Sequence, residues 1–254
     1  MTLLMRRMVT RRSDREIAAM RSAGRIVAAV LALLEPEVRP GARTGDLDRL
    51  AEEAIRAAGA IPSFKGYRGY PASICVSIGE EVVHGIPGER RIRDGEIVSI
   101  DAGAIWEGYH GDAARTFIVG QVEPRVIELV EATRRALDAG VAAARPGARI
   151  GDISAAVEDV ALAGGFGVVR QYVGHGIGQE MHEEPQVPNF RSPARGIAIT
   201  AGLCLAIEPM FTLGAADVVL REDGWTVATR DHALAAHFED TIAVTEHGPE
   251  VLTR

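Results

Sequence analysis

The chain is almost without lysine: Lys65 is the only one among 28 basic residues. Genome base composition explains that arginine bias more cheaply than function does. With 35 acidic residues against them the net charge is −7, which argues against nucleic acid as the main ligand. Cysteine is nearly as scarce. Cys75 and Cys204 lack metal-motif spacing, and one possible pair makes no disulfide framework. Both sit in apolar strand-like runs and read as buried free thiols in a reducing compartment. No uninterrupted apolar run approaches the ~20 residues that span a bilayer. The start, MTLLMRRMVTRR, has no apolar core behind its arginines and is not read as a secretory signal. The expectation is a cytoplasmic protein without membrane contact.

What remains is ordinary for a globular chain: 254 residues, 47% hydrophobic and 25% charged, long enough to bury a sizeable core. Residues 1–12 are expected to be a mobile N-terminal extension, and 13–254 one domain. Ser13 and Glu16 spell a helix capping box. Ile17, Met20, Val27, Leu31 and Leu34 then keep helical spacing up to Pro36. A second helix is expected over 46–58, closed by Gly59. Strand-like runs follow at 73–78 and 81–84. A long helix starts at Pro124 and ends before Pro146, and another spans 152–163, stopped by Gly164-Gly165. Arg6, Arg7, Arg11, Arg12, Arg15, Arg21 and Arg25 crowd the first helix. They read as a solvated face, with an acidic surface such as ribosomal RNA as the second option.

The chain is organised around residues 95–120, GEIVSIDAGAIWEGYHGDAARTFIVG. Two β-rich runs flank Trp106-Glu107-Gly108-Tyr109, the pattern of a β-hairpin. With its axis near residues 106 and 107, Asp101 and Asp112 fall roughly opposite each other, about 4.5–5.5 Å apart at Cβ. Two carboxylates so placed either share a proton or hold a cation. The chain then repeats itself. PGARTGDL at 40–47 returns as PGARIGDI at 146–153, and GEIVSID at 95–101 returns as GLCLAIE at 202–208. Asp101 therefore corresponds to Glu208, and Asp112 to Glu239 in FEDTIAV. A duplication of this period is one domain of two related halves, about 13–121 and 122–254. Helices outside a curved antiparallel sheet make an α+β architecture. If the halves face each other across a pseudo-two-fold axis, four carboxylates converge, which requires positive charge. VGHGIG offers His175 at the end of a strand-like run over 171–173. Four acids and one imidazole suit two divalent ions, Mn²⁺, Fe²⁺, Co²⁺ or Zn²⁺, and hydrolytic chemistry.

These residues carry a family resemblance. VVHGIP at 82–87, Asp101, GYHGDAARTFIVG at 108–120, VGHGIGQEMHEEPQV at 173–187, AIEPM at 206–210 and FEDTIAV at 238–244 resemble type I methionine aminopeptidase. The likeness runs from Ser13 nearly to the end. It implies the "pita-bread" fold, a dinuclear metal site, and removal of N-terminal methionine from nascent polypeptides whose second residue is small. It also implies that Asp101, Asp112, His175, Glu208 and Glu239 are the metal ligands, with Asp112 and Glu239 bridging. His84 and His182 match histidines that touch substrate, and with Glu208 form the expected catalytic set. Tyr67, Tyr70, Cys75 and Trp225 match the methionine pocket. Phe64 and Met181 stand at two lining positions where many bacterial members differ, Met181 replacing a frequent Phe. A monomer is expected. Two other readings compete. A prolidase-type peptidase usually carries a further N-terminal domain, and a metal-free binding protein of the same fold would have lost ligands.

Overall fold

The computed structural model describes residues 9–254. Arg6, Arg7 and most of the expected extension lie outside them. Helix α1 (Asp14–Leu34) starts as its capping box requires: the Ser13 side chain accepts from the Glu16 N–H, and Glu16 returns to the Ser13 N–H at 2.8 Å. Ile17, Met20, Val27, Val30, Leu31 and Leu34 are buried along one face, each aliphatic side chain contributing roughly 1.5–3 kcal/mol. The segment Asp14–Glu37 is long and apolar enough to cross a membrane by length and composition, though half of its apolar window is buried in the fold. Arg21 and Arg25 interrupt it, which is why it does not read as one apolar run.

The arginines of this end divide. Arg12, placed in the expected extension, is buried; its N–H bonds Gly202 O at 2.7 Å and its guanidinium pairs with Glu183. Arg21 is paired with Glu250 at 2.6 Å. Arg11, Arg15 and Arg25 are exposed. Arg11 and Arg12 precede the helix rather than lying on it.

Helix α2 (Thr44–Ala57) begins two residues earlier than its apolar spacing suggests. The cause is tertiary: Thr44 Oγ1 accepts from Gly88 N at 2.8 Å, and Gly45 N reaches Gly88 O at 2.8 Å. Next come β1 (Ile61–Pro62), β2 (Ile74–Ile78) and β3 (Glu81–Val83), then the long hairpin β4 (Ile97–Trp106) and β5 (Tyr109–Ile118). Its two-residue turn holds Glu107 at φ 50° and Gly108 at φ 81°, the left-handed pair that matches strand twist. Trp106 pairs with Tyr109, Asp101 with Ala114, and Gly103 with Asp112. The expected register is therefore corrected by two residues. Asp101 and Asp112 share a face as diagonal neighbours, about 7–8 Å apart in such ladders, rather than as a directly opposed pair.

The second half repeats the plan. Helices α3 (Pro124–Ala143) and α4 (Ile150–Gly164) follow, and Gly151 N reaches Arg195 O at 2.8 Å just as Gly45 N reaches Gly88 O. The strands are β6 (Gly167–Val168), β7 (Gly174–Gly176), β8 (Glu183–Val187), β9 (Cys204–Ile207), β10 (Met210–Thr212), β11 (Val218–Leu220), β12 (Val227–Thr229), β13 (Ala235–His237), β14 (Glu239–Thr245) and β15 (Gly248–Val251). The strand expected over 171–173 is not there; it runs over 174–176, with His175 at its centre. The apolar pattern misplaces it because close backbone approach makes this strand. A Cβ on Gly174 would lie 2.5 Å from Ala206 O.

The main sheet has the order β1-β4-β5-β14-β9-β7-β8, with β2 added on β4 and β15 on β14. Its seam is β5 against β14, where Ala113 pairs with Asp240. Those two positions are equivalent in the repeat, so the pseudo-two-fold axis passes between them. Beside it, Thr241 Oγ1 accepts from Asp112 N at 2.9 Å and donates to Asp112 O at 2.8 Å. Two apolar cores lie on the helical side, one for each half. Small sheets β13-β10-β6 and β11-β12-β3 close the ends, and β12 pairs with β3 of the other half. Both cysteines are buried and free.

Candidate active site

The seam brings the acids together. Asp101 and Asp112 come from the β4–β5 hairpin. Glu239 opens β14 and pairs with Ala114. Ile207 pairs with Asp240, so Glu208, the next residue, emerges beside Glu239. His175, on β7, pairs with Ala206 two residues before Glu208, and its Nε2 lies 3.7 Å from Glu208 Oε1. Asp112 and Glu239 are only 3% and 2% exposed. Asp101 Oδ1, Asp112 Oδ1 and Glu239 Oε1 are buried without a hydrogen-bond partner among the described residues.

Such a cluster resists ionisation. Burial, then the charges of Glu239 and Asp101, push Asp112 well above the ordinary carboxylate range. Burial and the other acids do the same to Glu208 and Glu239. Burial lifts Asp101 to about 7. Burial also lowers His175 to about 4, leaving a neutral imidazole able to donate a lone pair. Orphaned carboxylate oxygens beside a neutral imidazole fit a divalent cation. Donor atoms of Asp112, His175 and Glu239 converge within 4.8 Å, as do those of Glu208, His237 and Glu239. Glu239 belongs to both groups.

Above the acids opens a cavity of about 380 Å³. Every residue singled out from the sequence lines it: the five acidic and histidine positions, His84, His182, Phe64, Tyr67, Tyr70, Cys75, Met181 and Trp225. Phe64, Tyr70, Cys75 and Met181 are buried together, with Tyr67 and Trp225 packed against them. The Tyr70 hydroxyl donates to Gly85 O at 2.9 Å, and its ring meets Trp225 edge-on at 5.1 Å. The Tyr67 hydroxyl lies 2.9 Å from His182 Nδ1, with the rings stacked at 5.4 Å. His84 holds φ 61°, a strained conformation of the kind that gathers at functional sites; its ring meets Tyr172 edge-on at 5.6 Å. Burial raises the Cys75 thiol well above its ordinary value, so it lines the wall without thiolate chemistry.

Arg68, Gln171, Tyr172 and Gln186 also line the cavity, and no spacing signal marked them. His237 is the larger omission. It stands two residues before Glu239, and that i, i+2 spacing was the available sign.

Fold and site together define a metallopeptidase of the pita-bread class. The profile of Metallopeptidase family M24 matches residues 18–246. The chain is 50% identical over 247 residues to the methionine aminopeptidase of Clostridium acetobutylicum, covering 97% of this chain and 99% of that protein. It is 48% identical over 255 residues to methionine aminopeptidase 1 of Mycobacterium tuberculosis, covering 98% and 96%. The crystal structure of methionine aminopeptidase from Thermotoga maritima superposes with a TM-score of 0.96 at 44% identity, over 97% of this chain and 100% of that one. Prolidase from Pyrococcus furiosus, at 23% identity and a TM-score of 0.78, shares the fold, with 66% of its length matched. This chain belongs to the methionine aminopeptidases of family M24.

Proposed function

We propose that this chain is a metallo-aminopeptidase that removes N-terminal methionine from nascent polypeptides when the second residue is small. The observation that carries this reading is one cavity with two chemistries. Its floor holds buried, unpartnered carboxylates and a neutral imidazole; its wall is Phe64, Tyr70, Cys75, Met181 and Trp225. Aromatic and sulfur groups suit a thioether side chain.

Asp101, Asp112, His175, Glu208 and Glu239 would hold the divalent ions. The ions, when bound, neutralise the acids and supply Lewis-acid activation of water and of the scissile carbonyl. Glu208 holds the proton released from water at its carboxylate and passes it to the leaving amine. With the Tyr67 hydroxyl as donor to His182 Nδ1, 2.9 Å away, the His182 proton sits on Nε2, the atom we assign to the oxyanion. His84, braced by Tyr172, orients the peptide. Tyr67, His182 and Trp225 crowd the cavity, so the second substrate residue must be Gly, Ala, Ser, Thr, Cys, Pro or Val. Action on nascent chains implies a cytoplasmic protein. Arg11, Arg15 and Arg25 are exposed at the described N-terminal end and are the cations we assign to a ribosome contact, which salt-sensitive co-sedimentation checks.

The test compares methionine release from Met-Ala-Ser and Met-Lys-Ser. Rates are taken in chelator and after adding back Mn²⁺, Fe²⁺, Co²⁺ or Zn²⁺. The expected result is metal-dependent release from Met-Ala-Ser and at least about 10²-fold less from Met-Lys-Ser, because a clash in the transition state costs several kcal/mol. Equal rates would refute the steric gate, and full activity in chelator the metal centre.

A further inference from the structure

His237 has no place in the five-ligand set above, yet it faces that set. Its ring is 2% exposed, and Nε2 is buried without a hydrogen-bond partner among the described residues. That atom lies 3.7 Å from Glu239 Oε2 and 3.9 Å from Glu208 Oε2, too far for a hydrogen bond. Ligands of one ion, each about 2.0–2.2 Å from it, stand at most about 4.4 Å apart, and both separations fall inside that limit. The position is rigid. His237 pairs with Met210 on β10, its N–H donates to Thr116 Oγ1 at 2.9 Å, and its carbonyl accepts from Thr116 Oγ1 at 2.7 Å. Glu208 thus stands between two imidazoles, Oε1 toward His175 and Oε2 toward His237.

We infer that His237 is a metal ligand, supplying Nε2 to the ion held by Glu208 and Glu239, so that the centre has two imidazoles rather than one. The inference rests on the metallo-aminopeptidase reading and deepens it. A neutral imidazole adds a donor without adding charge, and four carboxylates already balance two divalent cations. It also shifts preference. Imidazole suits Fe²⁺, Co²⁺ and Zn²⁺ better than Mn²⁺, so His237 biases this centre away from Mn²⁺.

The test counts imidazoles. Metal-free enzyme with ¹⁵N-labelled histidine is loaded with Mn²⁺, and electron spin-echo spectra record the nitrogens coupled to the metal. Two inequivalent imidazole couplings are expected in the wild type and one in His237→Gln. Calorimetric titration should show a loss of more than about 10-fold in affinity for one ion, a size that even outer-shell changes reach. The loss should be larger for Zn²⁺ or Co²⁺ than for Mn²⁺. A single coupling in the wild type, unchanged in the variant, overturns the role of His237 while leaving the metal centre intact. Failure of the wild type to take up any divalent ion overturns the metal centre itself. The wild-type spectrum decides even if the variant does not fold.

Discussion

His182 is held at the mouth of the cavity by Tyr67, 2.9 Å from its Nδ1, and its ring lies 4.3 Å from that of His175. It stands close to His175 without belonging to either convergent donor group. A group so placed acts on the transition state rather than on metal retention. His182→Ala is therefore expected to keep its metal and lose about 10²–10³ in kcat, with a smaller change in KM, the usual cost of one oxyanion donor. Mass-spectrometric metal content measured beside kcat checks it. Metal lost in proportion to activity would make His182 a ligand instead.

The hairpin is the element on which the site depends. Its turn sets which residues of β4 and β5 face each other, and hence where Asp101 and Asp112 stand. Gly108 carries φ 81° with open space where a Cβ would go, so a substitution there acts through the backbone alone. Gly108→Ala is expected to cost about 1–2 kcal/mol, the penalty of a left-handed residue with a side chain. Urea unfolding of the metal-free protein reads it. No change would mean that the turn tolerates the strain and does not set the register.

At the scale of the molecule, two halves join along β5 and β14 with their acids on the seam. Closing the fold therefore forces like charges together. The raised carboxylates have a defined consequence. Folded metal-free protein holds protons that the unfolded chain has released. The stability from that difference is present at low pH and is lost as pH rises, through about 7 for Asp101; Asp112, Glu208 and Glu239, also raised, act in the same direction. His175 and His237, lowered to about 4 and about 3, oppose this only below their ordinary range near 6.5. Bound metal replaces those protons. The gap in Tm between metal-loaded and metal-free protein should therefore widen from pH 6.5 to 8.5. A constant or shrinking gap would show that the acids are not the metal site.

Much of this was legible in the chain. The capping box of α1 and the duplicated PGAR segments appear where local pattern places them, and the four helices do so to within about two residues, α2 and α4 each starting two residues early, because caps, apolar period and turn residues act over a few positions. Asp101, Asp112, His175, Glu208 and Glu239 could be marked because the repeat paired the acids and long motifs carried the resemblance. The tertiary structure decided the rest. The two-residue turn slid Asp101 and Asp112 from opposed to diagonal, a shift that hydrophobic alternation, with its period of two, cannot detect. The strand around His175 formed from glycine backbone packed on Ala206, which leaves no apolar pattern to read. Arg12 left the expected extension to pair with Glu183, 171 residues away. The i, i+2 spacing could put His237 beside Glu239, but only the closed fold sets its Nε2 3.9 Å from Glu208 Oε2 as well. Composition and spacing name the groups that do chemistry; only the closed fold determines which atoms lie within one ion's reach.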